Sequence, residues 1–326
     1  MRTLYLALLL APAVSFGADA PPKVSAQQFV NLQQGNSAFP GFRRAHAKGI
    51  CISGEFRVNG QLADYSQASL FKAGSTPFIG RLSIAGNNPT APDLKAPVRS
   101  MALSFASSRT EQWRLAMNTP PVMAVADPHT FYQQIQAIQA GPAAIKQFFA
   151  DHPESDEFRA WAAQYQPSGS FAAETYHSIN AFYLVNTDGK QQAVRWAMRP
   201  TVAVPATESD RDNALQQEIA ARIAAGEVVF DWVFTLADPS DDETNPTKAW
   251  PDNRQQITAG QLVLTGTTPQ LEGDCHAINF DPLVLPVGVK ATADPILRAR
   301  SAAYAESYRR RAKEQLQGAL EGSNNE

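Results

Sequence analysis

The chain has 326 residues, of which 44% are hydrophobic and 18% are charged, and its formal net charge is −3 at pH 7. This composition is typical of one or two ordinary globular domains. The slight negative charge excludes the basic surface on which nucleic-acid binding depends, so we expect no nucleic acid as a partner. No internal repeat or linker-like segment interrupts the sequence, which predicts a single domain over residues 21–326.

Residues 1–20 predict a secretory signal peptide. Arg2 provides a positive start, residues 4–14 are apolar, and small residues offer cleavage after Gly17 or after Ala20. The alternative is an N-terminal membrane anchor, but the run is shorter than the roughly 20 apolar residues that span a bilayer. The sequence lacks an Asn-x-Ser/Thr acceptor with a non-proline middle residue, which is typical of a bacterial exported protein. We therefore expect an exported, periplasmic protein whose mature form is not bound to a membrane.

Cys51 and Cys275 are the two cysteines of the chain. An exported protein with an even number of cysteines can form a disulfide, but sequence spacing does not tell whether two thiols come within bonding distance. Both the bridged and the free state stay open at this stage. Neither cysteine has His or Cys neighbours at a zinc-binding spacing, so we expect no structural zinc site.

Strand patterns recur along the chain and are interrupted by helical ones. The predicted strands cover residues 49–58, 77–85, 99–106, 113–117, 122–126, 181–186, 192–198, 228–237 and 261–264. The predicted helices cover residues 26–32, 213–225 and 296–320. About three further helices follow Pro128 and are separated by Pro142 and Pro153. About eight strands with antiparallel connections predict an α+β fold in which a closed antiparallel β-barrel carries helical inserts and a C-terminal helix.

The C-terminal helix carries two residues that suggest chemistry. Asp294 and Pro295 form a helix start signal, and the residues that follow are helix-compatible. Arg300 and Tyr304 are four residues apart and therefore share a face of this helix. A guanidinium beside a phenol favours the phenolate, and tyrosine is an axial iron ligand in some haem proteins. The alternative is an ordinary exposed helix with a cation near an aromatic ring.

Two further segments contain candidate site residues. His46 lies just before a predicted strand, where it is either a surface histidine or a general base near a metal. Arg81 and Ser83 lie two apart on one predicted strand and so share a face. A buried arginine on this face is costly unless it meets an anion, and a carboxylate of a bound cofactor would be such an anion.

The order of these residues resembles that of the haem catalases. Four short motifs follow one another as in that family: residues 46–49 (HAKG), 81–83 (RLS), 118–120 (NTP) and 300–304 (RSAAY). Residues 280–311 also resemble the segment that leads into the proximal helix of catalases. Because the chain is shorter than a typical catalase, it looks like the small, exported branch called catalase-related peroxidases. The resemblance implies a catalase-like core and haem b as cofactor.

The resemblance assigns a role to each candidate residue. Tyr304 would be the proximal iron ligand, and Arg300 would keep it ionised. His46 would be the distal acid-base residue, and Ser83 would bond to its other ring nitrogen and fix its tautomer. Arg43, Arg81 and Arg311 match the arginines that bind the haem propionates in catalases. Phe131 matches a phenylalanine that packs on the haem face, and the alternative for it is ordinary packing in a helix core.

Two departures from the family concern hydrogen bonds near the iron. Catalases usually have two asparagines before Thr-Pro, whereas this chain has Met117 and Asn118. The role of the distal asparagine is therefore either absent or taken by Asn118. Asn180 stands where catalases commonly have a histidine linked to the proximal arginine, which predicts a weakened proximal network.

Other departures concern access to the haem. Ala45 and Ala85 stand where valines usually narrow the approach, and residues 96–99 lack the acidic residue of the main channel. These changes predict a wider pocket that admits small organic reductants. We therefore expect a haem peroxidase that reduces hydrogen peroxide with such donors and has weak catalase activity. The alternatives are a haem enzyme that rearranges fatty-acid hydroperoxides and a haem-binding barrel without turnover; a homo-oligomer also stays open.

Overall fold

A computed structural model describes residues 23–323 except 73, 109 and 204–210. The predicted signal peptide lies outside the described residues. The helices are α1 (Ala26–Gln34), α2 (Pro128–Ala140), α3 (Pro142–Asp151), α4 (Asp156–Gln164), α5 (Ala214–Ala225) and α6 (Pro295–Ser323). The strands are β1 (Gly49–Val58), β2 (Gly74–Ile84), β3 (Arg99–Ala106), β4 (Gln112–Asn118), β5 (Tyr176–His177), β6 (Phe182–Val185), β7 (Gln191–Pro200), β8 (Val228–Leu236), β9 (Gln256–Pro269) and β10 (Val289–Ala291).

The sheet closes into a barrel. Its strands follow the order β10-β6-β7-β5-β4-β3-β2-β1-β9-β8, and β8 also pairs with β7. The ring from β7 to β8 therefore contains eight strands, and every pairing in it is antiparallel. Strands β6 and β10 extend the sheet beyond the ring. The predicted closed antiparallel barrel with helical inserts and a C-terminal helix is confirmed.

The interior of the barrel is filled by its own aromatic side chains. Trp232 is fully buried, with ring-centroid distances of 5.0 Å to Phe56, 5.2 Å to Trp113 and 5.7 Å to Phe105, which stacks on it. Aromatic rings at such distances attract one another beyond the effect of burial. Small eight-stranded barrels are commonly filled in this way. A large cofactor must therefore lie outside the barrel, between its wall and the helices.

The predicted strand at residues 122–126 is wrong. The segment forms bends, and two of its residues, Ala124 and Val125, pack with Phe148 in a separate apolar cluster beneath α2 and α3. Its short apolar pattern reflects packing under helices. Asp127 then caps α2 by accepting a hydrogen bond from the Thr130 backbone N–H at 3.0 Å.

Cys51 and Cys275 form a disulfide, which decides between the two alternatives that the sequence left open. The bridge connects β1 to the short turn Asp274–His276, and its cysteines are 224 residues apart in sequence. It therefore holds the segment that follows β9 against the barrel wall. Within the described part of the chain, none of the helices combines the length and the hydropathy needed to span a bilayer.

Candidate active site

A cavity of about 190 Å³ lies between the outer barrel wall and the helices. Its walls come from β2, β3 and β4 on the barrel side and from α1, α2 and α6 on the helical side. Cofactor pockets are typically concave, largely apolar sites with a few polar groups. The structure brings all nine predicted site residues to this cavity: Arg43, His46, Arg81, Ser83, Asn118, Phe131, Arg300, Tyr304 and Arg311.

The strand register explains why polar residues meet on the barrel side. Ser83 of β2 lies opposite Ser100 of β3, which in turn lies opposite Asn118 of β4. Residues opposite one another in antiparallel strands project from the same face, so these three form one polar row. Met117, one position before, belongs to the hydrophobic core of the barrel, although part of it borders the cavity. Of the two candidates for the distal asparagine position, Asn118 is thus the one in the polar row.

His46 contacts Ser100, and this corrects the predicted partner. Its Nδ1 lies 3.1 Å from the Ser100 hydroxyl oxygen, and the Ser100 hydroxyl donates to Asn118 Oδ1 at 2.5 Å. Among the described residues, Ser83 makes no hydrogen bond to His46, although it lines the same cavity. The prediction placed the hydroxyl on the right face but on the wrong strand, because sequence alone does not give the register between β2 and β3.

The environment of His46 keeps its imidazole neutral. Burial is the largest effect, and the positive charges of Arg81, Arg300 and Arg43 add to it, so the pKa of His46 falls to about 4. The accessible surface that His46 retains faces the cavity. Its backbone has a left-handed conformation, with φ of 53°, which is uncommon for a residue other than glycine. A neutral histidine can accept a proton near neutral pH, as a general base must.

Positively charged side chains line the cavity, but none of the residues in its wall supplies a carboxylate. Four arginines line it, and no aspartate or glutamate is among its lining residues. Arg43 donates to the backbone oxygens of Cys275 and Ile278 at 2.9 Å each. Arg81 donates to Gln270 Oε1 at 2.6 Å and to the Ala47 carbonyl at 3.2 Å. Neutral oxygens thus orient these guanidinium groups and leave their charges uncompensated.

The charge of the arginine cluster calls for an anion. Burial lowers the pKa of Arg43, Arg81 and Arg311, and repulsion among the arginines lowers it further. The Nε atoms of Arg81 and Arg311 are buried and have no hydrogen-bond partner. Buried cations without a counter-ion are unstable relative to paired ones. The residues present therefore fit a cofactor that carries carboxylates, such as the two propionates of haem.

Tyr304 lies beside Arg300 on α6, as predicted. The Arg300 guanidinium carbon is 6.0 Å from the centre of the Tyr304 ring. The same guanidinium donates to the Ala116 carbonyl at 2.7 Å and to Oδ1 of Asn180. The strand β4 and Asn180 thereby fix Arg300 next to the phenol of Tyr304.

Asn180 keeps the proximal network connected. Its Oδ1 accepts from Arg300, and its Nδ2 donates to Asp294 Oδ2 at 2.6 Å. The prediction that this position weakens the network concerns its strength, whereas the structure shows that the amide keeps it connected through both of its ends. The residue before it, Ile179, was not predicted: it lines the cavity with φ of 65°, and the Asn180 N–H bonds to the Ser178 carbonyl at 2.8 Å. Such a tight turn costs about 1–3 kcal/mol with a branched side chain.

The position of Phe131 is compatible with both of the roles that the sequence allowed. It lines the cavity and packs against the apolar cluster of α2 and α3. Its ring centre is 5.9 Å from that of Phe29, so α1 contributes a second aromatic ring to the cavity wall.

A tyrosine beside an arginine, a neutral histidine and an unpaired arginine cluster in one cavity define a site for an anionic metal cofactor. The family model described as Catalase matches residues 40–318. The chain therefore belongs to the catalase family, which implies that it binds haem.

The chain is similar to several characterised proteins. It is 36% identical over 285 residues to a catalase-related peroxidase of Synechococcus elongatus, with 84% of each chain covered. It is 28% identical to a catalase-related peroxidase of Mycolicibacterium paratuberculosis, covering 84% of this chain and 90% of that one. A fungal catalase structure superposes with a TM-score of 0.75 at 18% identity, covering 83% of this chain and 59% of that one. The chain therefore spans about 59% of the length of that longer catalase.

Proposed function

We propose that this protein is a haem-dependent peroxidase that reduces hydrogen peroxide with electrons from small organic donors and has weak catalase activity. The observation that carries the proposal is the single cavity that joins Tyr304 and Arg300, the neutral His46 and an arginine cluster without a carboxylate. Haem b would supply the redox chemistry at peroxide. The family membership and the two relatives named catalase-related peroxidases support this assignment.

Each residue of the cavity has a defined task in this proposal. Tyr304 would hold the iron, with the guanidinium of Arg300 beside its ring. Arg43, Arg81 and Arg311 would pair with the two propionates, which would remove the cost of their uncompensated charge. His46, neutral at physiological pH, takes a proton from one peroxide oxygen and returns it to the oxygen that leaves as water.

The wall near His46 favours peroxidase over catalase activity. Ala45 lines the cavity beside His46, and a methyl group leaves more room there than a larger side chain would. Phe29, Phe131 and Met123 add an apolar wall. A site that is wide and partly apolar suits small organic donors, which must approach closely enough to transfer electrons.

Steady-state kinetics of the haem-loaded protein test the proposal. Peroxide consumption is measured with and without a phenolic donor, and we expect the donor to raise the rate clearly. Equal rates would refute the peroxidase assignment. His46→Ala should abolish turnover and spare haem binding; turnover that survives in this variant would remove His46 as the acid-base residue.

The iron ligand is tested with a matched pair of variants on one helix. Tyr304→Phe should bind haem weakly and lose the phenolate-to-iron absorption bands. Tyr308→Phe, one helical turn further and also on the cavity wall, should keep both. Equal spectra for the two variants would remove Tyr304 as the ligand.

We also propose that residues 1–20 direct export to the periplasm and are removed there. The pattern of one basic residue, an apolar run and small residues supports this. The intact mass of protein from a periplasmic extract should correspond to a chain that begins at Ala18 or Pro21. Recovery of the full chain from the cytoplasm would contradict the proposed export.

A further inference from the structure

The segment at residues 272–280, which follows β9, orients one of the cavity arginines. Arg43 donates to the backbone oxygens of Cys275 and Ile278, at 2.9 Å each. The Arg43 guanidinium carbon also lies 5.8 Å from the centre of the Phe280 ring. A guanidinium that two acceptors hold in one orientation is prepared for an anion, because little rotational freedom is lost when the anion binds. The direction in which Arg43 points therefore depends on this segment.

The disulfide attaches this segment to the barrel wall. Cys275 is bonded to Cys51 of β1, and both residues are buried. Among the described residues, the backbone-to-backbone hydrogen bonds donated by residues 272–277 stay within the segment or reach the end of β9. Further along, Arg114 of β4 donates to the Asn279 carbonyl at 2.7 Å. The stretch that carries the two carbonyl acceptors is thus held by the disulfide at one end and by this hydrogen bond at the other.

Gly273 shows how closely the segment packs against the disulfide. A methyl group at this position would place its carbon 2.6 Å from the Cys51 sulfur and 2.8 Å from the Cys51 Cβ. Such a contact is too short for real atoms, so a side chain here would push the segment away from β1. The backbone of Gly273, with φ of −92° and ψ of 151°, is one that any residue adopts. The glycine is therefore required by the close approach to the bridge and not by its backbone.

We propose that the Cys51–Cys275 disulfide is a positioning element for the cofactor: it holds the segment so that two carbonyl oxygens aim Arg43 at a carboxylate of the bound haem. This inference rests on the proposed pairing of Arg43 with a propionate, and it does not depend on peroxide turnover. Arg81 and Arg311 repel the charge of Arg43, so a guanidinium released from its carbonyl partners would move away from the cluster. Because disulfides form in oxidising compartments, full retention of the cofactor would be reached only there.

Haem release from the loaded protein measures this role. Transfer of haem to an excess of a haem-free globin is followed by absorbance, so the readout is a rate of cofactor loss and not turnover. Cys51→Ala/Cys275→Ala should lose haem about 10- to 100-fold faster than the wild type, as is typical when a supporting partner of a bound group is removed. Equal rates for the two proteins would overturn the proposal.

A matched pair of glycine variants separates positioning from the covalent link itself, and it decides the question even if the cysteine variant does not fold. Gly273→Ala keeps both cysteines but displaces the segment, and it should release haem about 10-fold faster than the wild type. Gly226→Ala, at the end of α5 with open space around the new methyl group, should match the wild type. Thiol titration checks that the bridge is intact in both. Wild-type release from Gly273→Ala, or equally fast release from Gly226→Ala, would refute the positioning role.

A double-mutant cycle connects the disulfide to Arg43. Arg43→Met should itself release haem about 30-fold faster, because it removes one member of a charge pair. In that background, loss of the disulfide should add less than about 3-fold, since two changes that act through one contact are not additive. Full multiplication of the two effects, or unchanged release from Arg43→Met, would contradict the inference. If the wild type showed no donor-dependent turnover, the proposed function would fail, and the release rates would still decide the role of the disulfide.

Discussion

Replacing Arg81 should stabilise the cofactor-free protein and weaken its binding of haem. Arg81 is 2% exposed, has neutral hydrogen-bond partners and lies near other arginines of the cavity. A guanidinium in this setting is costly until an anion arrives. Arg81→Met keeps a long apolar side chain in the same space and removes the charge.

The size of the effect follows from two opposing contributions. Burial, and then repulsion from Arg311, lower the pKa of Arg81 to about 9. At neutral pH this displacement corresponds to a cost of about 5 kcal/mol for keeping the folded side chain charged, and the cost disappears as the pH rises above that value. Hydrogen bonds to Gln270 and to the Ala47 carbonyl offset about 3 kcal/mol, at roughly 1.5 kcal/mol each. The free energy of unfolding of the cofactor-free Arg81→Met variant should therefore rise by about 2 kcal/mol.

Urea unfolding and haem titration measure the two effects separately. In the proposed function Arg81 would pair with a propionate, and truncating one member of a buried charge pair costs at least about 2 kcal/mol of binding, or roughly 30-fold in Kd. Arg57→Met, on the exposed side of β1 where Arg57 pairs with Glu55 and Glu227, is the control and should change neither quantity appreciably. A cofactor-free Arg81→Met protein less stable than the wild type, or one with unchanged haem affinity, would refute the reasoning.

Three other predictions follow from the fold. The double variant Cys51→Ser/Cys275→Ser should lose about 5 kcal/mol of stability in urea, because the bridge closes a loop of 224 residues; a loss below about 1 kcal/mol would contradict a structural role. Asn180→Leu leaves the buried partners Asp294 and Arg300 unpaired, so the free energy of unfolding should fall by about 2–3 kcal/mol and the ferric absorption maximum should shift. An unchanged spectrum would show that Asn180 does not influence the iron site. The folded pKa of His46 and of His177 is about 4, below the ordinary value of 6.5, so the unfolded chain binds more protons between these values. Stability should fall by about 2 kcal/mol for each histidine from pH 7 to pH 5, and equal stability at both would contradict these shifts.

The sequence was sufficient to predict nine of the residues that line the cavity, although not Ser100 or Ile179. Motifs such as 46–49 and 300–304 are short, but their order is specific, and the cavity contains every residue that they nominated. The barrel could be predicted because most of its strands are long and separated by clear turn signals, whereas β5, with two residues, was not predicted. The strand at 122–126 could not be distinguished from a bend, because a short run of five apolar residues also suits packing beneath a helix.

The contacts between residues of the site were less predictable than the identity of the residues that line it. Ser83 and Ser100 have the same hydroxyl and the same face, and only the register of β2 against β3 and the turn at His46 decide which one reaches the ring. Asn180 was expected to weaken the network, because comparison of residue types does not show that an amide can bridge Arg300 and Asp294. Sequence patterns give the chemistry of a position, whereas these distances depend on the folded backbone.

The packed interior of the barrel has a consequence for the order of assembly. The last strand of the closed ring ends at Pro269, and the residues that fill the ring belong to the barrel itself. Tyr304 follows on α6, after the disulfide-bonded turn that also supplies the carbonyl of Cys275 to Arg43. The strands that form the cavity wall are therefore complete in sequence before α6 begins, and Tyr304 and Arg311 are among the last residues of the site to be synthesised.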